Sequence, residues 1–199
     1  MKLAVFASGS GSNFQAIVDA VEEGRLQAEI SLLVCDKPGA YAEKRAQTHG
    51  ISVFSFHPKE YSGKAAFEEE IVKQLRQQEI DMIILAGYMR LIGPTLLHSY
   101  EGRIFNIHPS LLPAFPGKDA IGQAWRAGVK VTGATIHMVD EGMDTGTIIA
   151  QEAIPVKATD SLQSLTKAIQ AVEHRLYPDT IQSIIEKRTL EGSQIKNEH

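Results

Sequence analysis

The sequence is short of cysteine, of aromatic residues and of long runs of any one character. Cys35 is the single cysteine among 199 residues, so no internal disulfide can form and no cysteine-built zinc site is available. That usage fits a reducing, cytoplasmic setting. No segment approaches the ~20 uninterrupted apolar residues that a membrane helix needs. The opening apolar run, Met1 to Ala7, is shorter than the core of a signal peptide and leads straight into a glycine turn, so a soluble, unexported protein is expected. Lys and Arg form no basic stripe, and the formal net charge of -4 with a pI near 6.0 disfavours extended nucleic-acid binding while leaving room for a local basic pocket. Internal repeats, low-complexity tracts and an interdomain linker are also missing. What remains, 43% apolar and 22% charged residues, suits one compact domain or at most two small ones.

Short β-rich runs alternate with longer amphipathic segments, the rhythm of βα units on a parallel sheet. The strands expected are Leu3 to Ala7, Ile30 to Cys35, Ile51 to Phe56, Asp81 to Ala86 and Arg103 to Ile107. Asn13 to Glu23 and Lys64 to Gln78 carry apolar residues at helical spacing, with Gly24 placed to end the first. The continuously apolar Met82-Ile83-Ile84-Leu85 predicts a strand covered on both faces. A loop rich in proline, from Pro109 to Gly117, precedes two further strand-like runs, Val131 to Val139 and Thr147 to Val156, read as an antiparallel pair completing a mixed sheet. Ser161 to Arg188 closes the chain as a long helix with a bend at Pro178. The expected architecture is a Rossmann-like, mostly parallel α/β sheet with helices on both faces, an antiparallel C-terminal strand pair and a long C-terminal helix. It forms one domain over 1–199: a mainly phosphate-binding βα half (1–100), a catalytic half (101–190) and a frayed tail (191–199).

Between the first strand and first helix lies Ser8-Gly9-Ser10-Gly11-Ser12-Asn13. Glycines there allow a tight turn whose backbone N–H groups point along the helix axis, a natural anion site. The pattern is neither a dinucleotide fingerprint nor a Walker loop, because Phe14 stands at the last glycine's place and no Gly-Lys-Ser/Thr follows. A single phosphate suits it, and a plain helix cap is the alternative.

Asn106-Ile107-His108 puts an amide and an imidazole two residues apart at a strand's carboxyl end, where both point to one side. Such a pair can stabilise an oxyanion formed by addition to a carbonyl. Asp144, in a glycine-rich turn, can hold His108 charged and assist proton transfer. A hydrogen-bonded strand end is the plainer reading, and His108, His137 and Asp144 as a metal set matches no familiar ligand spacing. Cys35 reads as a buried, inert thiol or a reactive one, and Trp125, Met82 and Met138 as core or pocket wall.

Asn106-Ile107-His108-Pro109-Ser110-Leu111-Leu112-Pro113 resembles the hallmark segment of folate-dependent formyltransferases. Gly133-Ala134-Thr135-Ile136-His137, with Asp144-x-Gly146 and Gln151, resembles their second signature, and Ala86-Gly87-Tyr88-Met89-Arg90 resembles their folate-pocket segment. Gly9 to Asn13 and Glu173-His174-Arg175-Leu176-Tyr177-Pro178 resemble the branch that acts on glycinamide ribonucleotide. The resemblance spans nearly the whole chain. It implies Asn106, His108 and Asp144 as catalytic, Gly11, Ser12 and Asn13 on the substrate phosphate, and Gln170 and Glu173 on its glycinamide. It further implies a folate pocket of Lys64, Met89, Arg90, Leu91, Ile92, Asn106, Val139, Asp140 and Glu141. Lys64 stands where the family often has arginine, which keeps a cation and loses the planar fork, and Met138 stands where an aromatic is common.

The implied reaction moves a formyl group from 10-formyltetrahydrofolate, a co-substrate, to the amine of glycinamide ribonucleotide in purine biosynthesis. It implies no metal, no nucleic-acid or membrane partner, and a monomer or homodimer. A formyltetrahydrofolate hydrolase would use the same trio with water, and the phosphate turn argues against it. A methionyl-tRNA formyltransferase would need a further carboxyl-terminal domain, for which no residues are left. A non-catalytic folate or nucleotide-binding module is the rival from another class, opposed by the complete trio.

Overall fold

A computed structural model describes the backbone of residues 1–197 and the side chains through residue 191. Its elements are β1 (Lys2–Ala7), α1 (Ser12–Glu22), β2 (Glu29–Cys35), α2 (Tyr41–Thr48), β3 (Ser52–Ser55), α3 (Lys64–Gln77), β4 (Met82–Leu85) and α4 (Pro94–Ser99). They continue through β5 (Ile104–His108), α5 (Ala120–Ala127), β6 (Val131–Met138), β7 (Ile148–Pro155) and α6 (Leu162–Asn197). The strands form one seven-stranded sheet in the order β3-β2-β1-β4-β5-β6-β7. β1 to β5 pair in parallel; β6 runs antiparallel to both β5 and β7. No helix among the described residues is long and apolar enough to cross a membrane.

Side-chain alternation along the strands builds two cores, one on each face. Leu3, Val5 and Ala7 of β1 join Phe14, Ile17, Met82, Ile84, Phe105, Ile107, Tyr177 and Ile181 on the face covered by α1 and α6. Ala4 and Phe6 point the other way and join Phe67, Ile71, Leu75, Ile83, Leu85 and Leu96 under α3 and α4. Burial on both faces is why β4 reads as continuous hydrophobe. The Tyr177 ring is wholly buried, and its hydroxyl lies 2.8 Å from the Leu85 carbonyl oxygen and 3.0 Å from that of Phe105, pinning α6 to β4 and β5.

The expected helices and strands are present, and apart from the far end of α6 their ends are shifted by at most about one residue, as is usual where elements fray. α2, α4 and α5 were not anticipated. α2 buries only Ala42 and Ala46, and α4 has six residues, so neither carries an apolar stripe long enough to register. α6 continues through Pro178, whose missing N–H leaves the His174 carbonyl without its helical donor. The stretch expected as a frayed tail is helical to Asn197, and residues 198 and 199 lie outside the described structure.

The chain fills β2 and β3 on one side of β1, then crosses to place β4 on the other. Neighbouring loops therefore part at the carboxyl ends of β1 and β4, where open α/β sheets bind ligands. The Gly9–Asn13 turn leaves β1 there, and the 87–92 segment leaves β4 beside it.

Candidate active site

β5 divides its residues by face. Phe105 and Ile107 enter the α1/α6 core, which sends Asn106 and His108 to the opposite face. β6 pairs so that His137 stands opposite Asn106 and Thr135 opposite His108, giving four polar side chains on one patch of sheet. The proline-rich loop after β5 and the β6–β7 connection fold over this patch, bringing the Phe115 carbonyl, the Gly117 N–H and the Asp144 carboxylate to it.

His108 is 5% exposed, with Nε2 2.8 Å from the Phe115 carbonyl oxygen and Nδ1 3.4 Å from Asp144 Oδ2. Acceptors thus face both ring nitrogens, and an imidazolium can donate to each. Asp144 Oδ2 also accepts the Gly117 N–H at 2.7 Å. His137 Nε2 stands between the Asn106 amide nitrogen at 3.2 Å and Asp144 Oδ1 at 3.5 Å. With one hydrogen or one lone pair, it donates to Asp144 or accepts from Asn106, one at a time. The His137 hydrogen bond foremost, then the Gly117 N–H and the charge of His108, hold the Asp144 carboxyl below the usual carboxylate range against the opposing effect of burial.

Asp144 takes up a left-handed backbone at φ 57°, and a Cβ on the nearby Gly146 would run into the Met138 carbonyl oxygen. Asp140 Oδ1 closes the same loop by accepting from the Gly142 N–H at 3.0 Å and the Thr145 hydroxyl at 2.8 Å. The proline-rich loop is tied down through Thr135, whose hydroxyl donates to the Ser110 carbonyl at 2.7 Å and accepts the Leu112 N–H at 3.0 Å. Gln151, across the β6–β7 pair, adds a bond to the Leu112 carbonyl at 2.9 Å.

At the glycine turn, Gly11 has φ 69°, and a Cβ there would come within 2.8 Å of the Ala42 Cβ, so only glycine lets α2 pack this close. Arg45 of α2 supports the turn by donating from Nε to the Ser10 carbonyl at 2.8 Å. Ser12 opens α1 and Asn13 follows it, facing α6. Burial pushes the Glu173 carboxyl up to about 7, and a hydrogen bond from the Asn13 side chain opposes the rise. Asn13 Oδ1 and His174 Nε2 are buried without a hydrogen-bond partner among the described residues. Gln170 lies exposed one helical turn before Glu173.

On the far side of the cleft, Met89 and Leu91 are 63% and 45% exposed, large apolar side chains in water beside the site. Ile92 is buried in the α3/α4 core, so its side chain faces away from solvent. The Arg90 guanidinium is engaged through Nε by Asp36 at 2.7 Å, and Lys64 Nζ donates to the Leu91 carbonyl at 2.8 Å. Glu68, 1% exposed, accepts the Gly93 N–H at 2.6 Å under the same loop. Val139 donates its N–H to the Ile104 carbonyl at 2.9 Å, while Asp140 and Glu141 lie exposed at the rim.

His108 and Asp144 therefore meet directly and Asn106 joins them through His137, while Asn13 meets Glu173. Sequence reasoning missed His137 as part of the trio's setting, because its position became visible only with the β5–β6 register. It also missed Ser8, Asp36 and Glu68. The three residues considered as a metal set converge, yet their polar atoms address one another and the backbone, and no group of three or more His, Cys, Asp or Glu among the described residues is arranged around an ion. Burial raises the Cys35 thiol to about 11, which makes it the inert one of its two readings. Met82 is core, and Trp125 is half-buried.

An amide and an imidazole side by side at the end of β5, with a carboxylate against them, are found here in a chain whose sequence matches the formyl transferase family over residues 1–181: the chain is a member of that family. Within it, the chain is 58% identical over 184 residues to phosphoribosylglycinamide formyltransferase of Bacillus subtilis, covering 92% of this chain and 94% of the relative. The crystal structure of phosphoribosylglycinamide formyltransferase from Bacillus halodurans superposes with a TM-score of 0.92 at 58% identity, covering 94% of this chain and 97% of that one. Glycinamide ribonucleotide transformylase 1 from Geobacillus kaustophilus gives 0.90 at 60% identity, covering 92% and 97%.

Proposed function

We propose that the chain transfers the formyl group of 10-formyltetrahydrofolate to the amine of glycinamide ribonucleotide, giving formylglycinamide ribonucleotide and tetrahydrofolate in de novo purine biosynthesis in the cytoplasm. The observation that carries this reading is the convergence of Asn106, His108 and Asp144 in a member of the formyl transferase family. The Gly11-Ser12-Asn13 turn would take the acceptor's phosphate, with Gln170 and Glu173 on its glycinamide. The exposed Met89 and Leu91 would flank the pterin, joined by backbone of Arg90, Ile92, Val139, Asp140 and Glu141, while Lys64 would act mainly by holding the Leu91 carbonyl.

The neutral amine attacks the formyl carbon, a C–N bond forms, and the carbonyl π pair moves onto oxygen. The Asn106 amide has two hydrogens, of which His137 can accept at most one, so one is free to donate to that oxygen. The 3.4 Å gap between His108 Nδ1 and Asp144 is long for a direct bond and leaves that N–H to be shared with the oxyanion. The Phe115 carbonyl fixes the other nitrogen, and with it the ring plane. Asp144, kept ionised, takes the proton released by the attacking amine, directly or through water, and returns it to N10 as the C–N10 bond breaks. No covalent enzyme intermediate is required.

The test is release of tetrahydrofolate from 10-formyltetrahydrofolate, followed by absorbance with and without glycinamide ribonucleotide. Release that depends on the ribonucleotide is expected. Equal release with water alone would identify a hydrolase, and none under either condition a binding module.

A further inference from the structure

Across the carboxyl ends of β2, β1 and β4 runs a chain of hydrogen bonds built on Ser8 and Asp36, neither of which is a proposed ligand contact. Asp36 follows β2 and is 3% exposed; its Oδ1 accepts from the Ser8 hydroxyl and its Oδ2 from Arg90 Nε at 2.7 Å. Ser8 follows β1 and is 2% exposed, and its oxygen accepts the Met89 N–H at 2.9 Å. The Ser8 N–H donates to the Gly87 carbonyl at 3.1 Å. A hydroxyl has one hydrogen and two lone pairs. Because Asp36 fixes the hydrogen, a lone pair is aimed at Met89. Ser8 is thus the root of the Gly9–Asn13 turn, while Met89 and Arg90 open the 89–92 loop, and one buried carboxylate holds both.

We propose that Ser8 and Asp36 are positioning residues that couple the two binding loops, so that glycinamide ribonucleotide in the glycine turn tightens folate at the 89–92 loop, and the reverse. The coupling rests on the reading of these loops as acceptor and donor sites. Ordering either loop sets the Ser8 hydroxyl, and the other loop then has less freedom left to lose when its own ligand arrives. Linkage requires the effect to be equal in both directions.

The affinity for tetrahydrofolate, which carries no formyl group and so allows no turnover, is measured by calorimetry without and with saturating glycinamide ribonucleotide. In the unmodified protein the ribonucleotide is expected to tighten tetrahydrofolate about 5-fold or more, and tetrahydrofolate to tighten the ribonucleotide by the same factor. Ser8→Ala, with folding checked by its melting curve, should bind each ligand alone while this ratio falls to about 1. Asp36→Asn offers one acceptor oxygen where Ser8 and Arg90 use two, and should give a ratio between these limits. An unmodified protein that binds both ligands with no mutual effect, or a Ser8→Ala protein that keeps the full ratio, overturns the coupling alone. An unmodified protein that binds neither ligand overturns the two-site reading, and the coupling falls with it.

Discussion

At the cluster around β5 and β6, Asn106, His108, His137 and Asp144 find partners in one another or in the backbone, whereas at the proposed acceptor end Asn13 Oδ1 and His174 Nε2 are buried with none among the described residues. A buried polar atom left unsatisfied costs roughly 1–3 kcal/mol. One region is thus arranged before any ligand arrives, with its dipoles fixed where the proposed reaction develops charge. The other holds part of its hydrogen-bonding capacity open, and binding can recover it. Catalytic geometry tolerates little rearrangement during the reaction, while recognition gains from groups that improve their partners only when the correct ligand is present.

The largest effect expected from this contrast lies in the fixed cluster. His108→Ala should lower turnover about 100-fold to 1,000-fold, the usual loss for one oxyanion donor, with both ligands still bound. Asp144→Asn should act through the same imidazole. The double variant should therefore be little worse than the poorer single one in steady-state kinetics, whereas barrier increments that add would show two independent roles. A folded His108→Ala protein with nearly full turnover would break the contrast at its stronger side.

At the open end, Asn13→Ala should weaken the ribonucleotide by about 1.5–3 kcal/mol, the scale of a hydrogen bond to a charged group, and leave folate affinity unchanged. Titration of each ligand separately reads this directly. An unchanged ribonucleotide affinity would remove Asn13 from the site.

The last effect expected concerns stability and leaves turnover aside. Burial holds the Glu173 carboxyl at about 7 in the folded chain, against ~4.3 for an unperturbed glutamate. Between those values the folded state keeps a proton that the unfolded state gives up. The stability contributed by that proton is complete below the lower value and is lost as pH rises through the higher one. Glu173→Gln stays neutral throughout. It should flatten the melting temperature between about pH 5 and pH 8 and melt above the parent protein at the alkaline end. Parallel melting profiles for the two proteins would show that Glu173 is already solvated, and the acceptor end less closed than its geometry indicates.

The sheet was legible in the sequence because β1, β4 and β5 carry apolar runs bounded by glycine or proline, signals that follow from burial and turn geometry. α2 was not, since its buried residues, Ala42 against Gly11 and Ala46, leave no amphipathic stripe. At the candidate site, Asn106 and His108 could be placed on one face from their spacing alone. His137 could not, because its role depends on antiparallel register with a strand thirty residues earlier. Ser8 and Asp36 were hidden for a related reason. Ser8 shows only as the first residue of the glycine turn and Asp36 as a polar residue after a strand, and only the strand order sets them side by side.

The two-faced pattern of β5 also limits how this chain can change in length. One residue inserted or deleted within Ile104–His108 would exchange the faces of everything beyond it, turning amide and imidazole into the α1/α6 core and bulky hydrocarbon into the cleft. A single in-frame codon gain or loss there would damage folding and chemistry together. Divergence in length is left to the connections on either side, where an extra residue shifts no side chain from one face to the other.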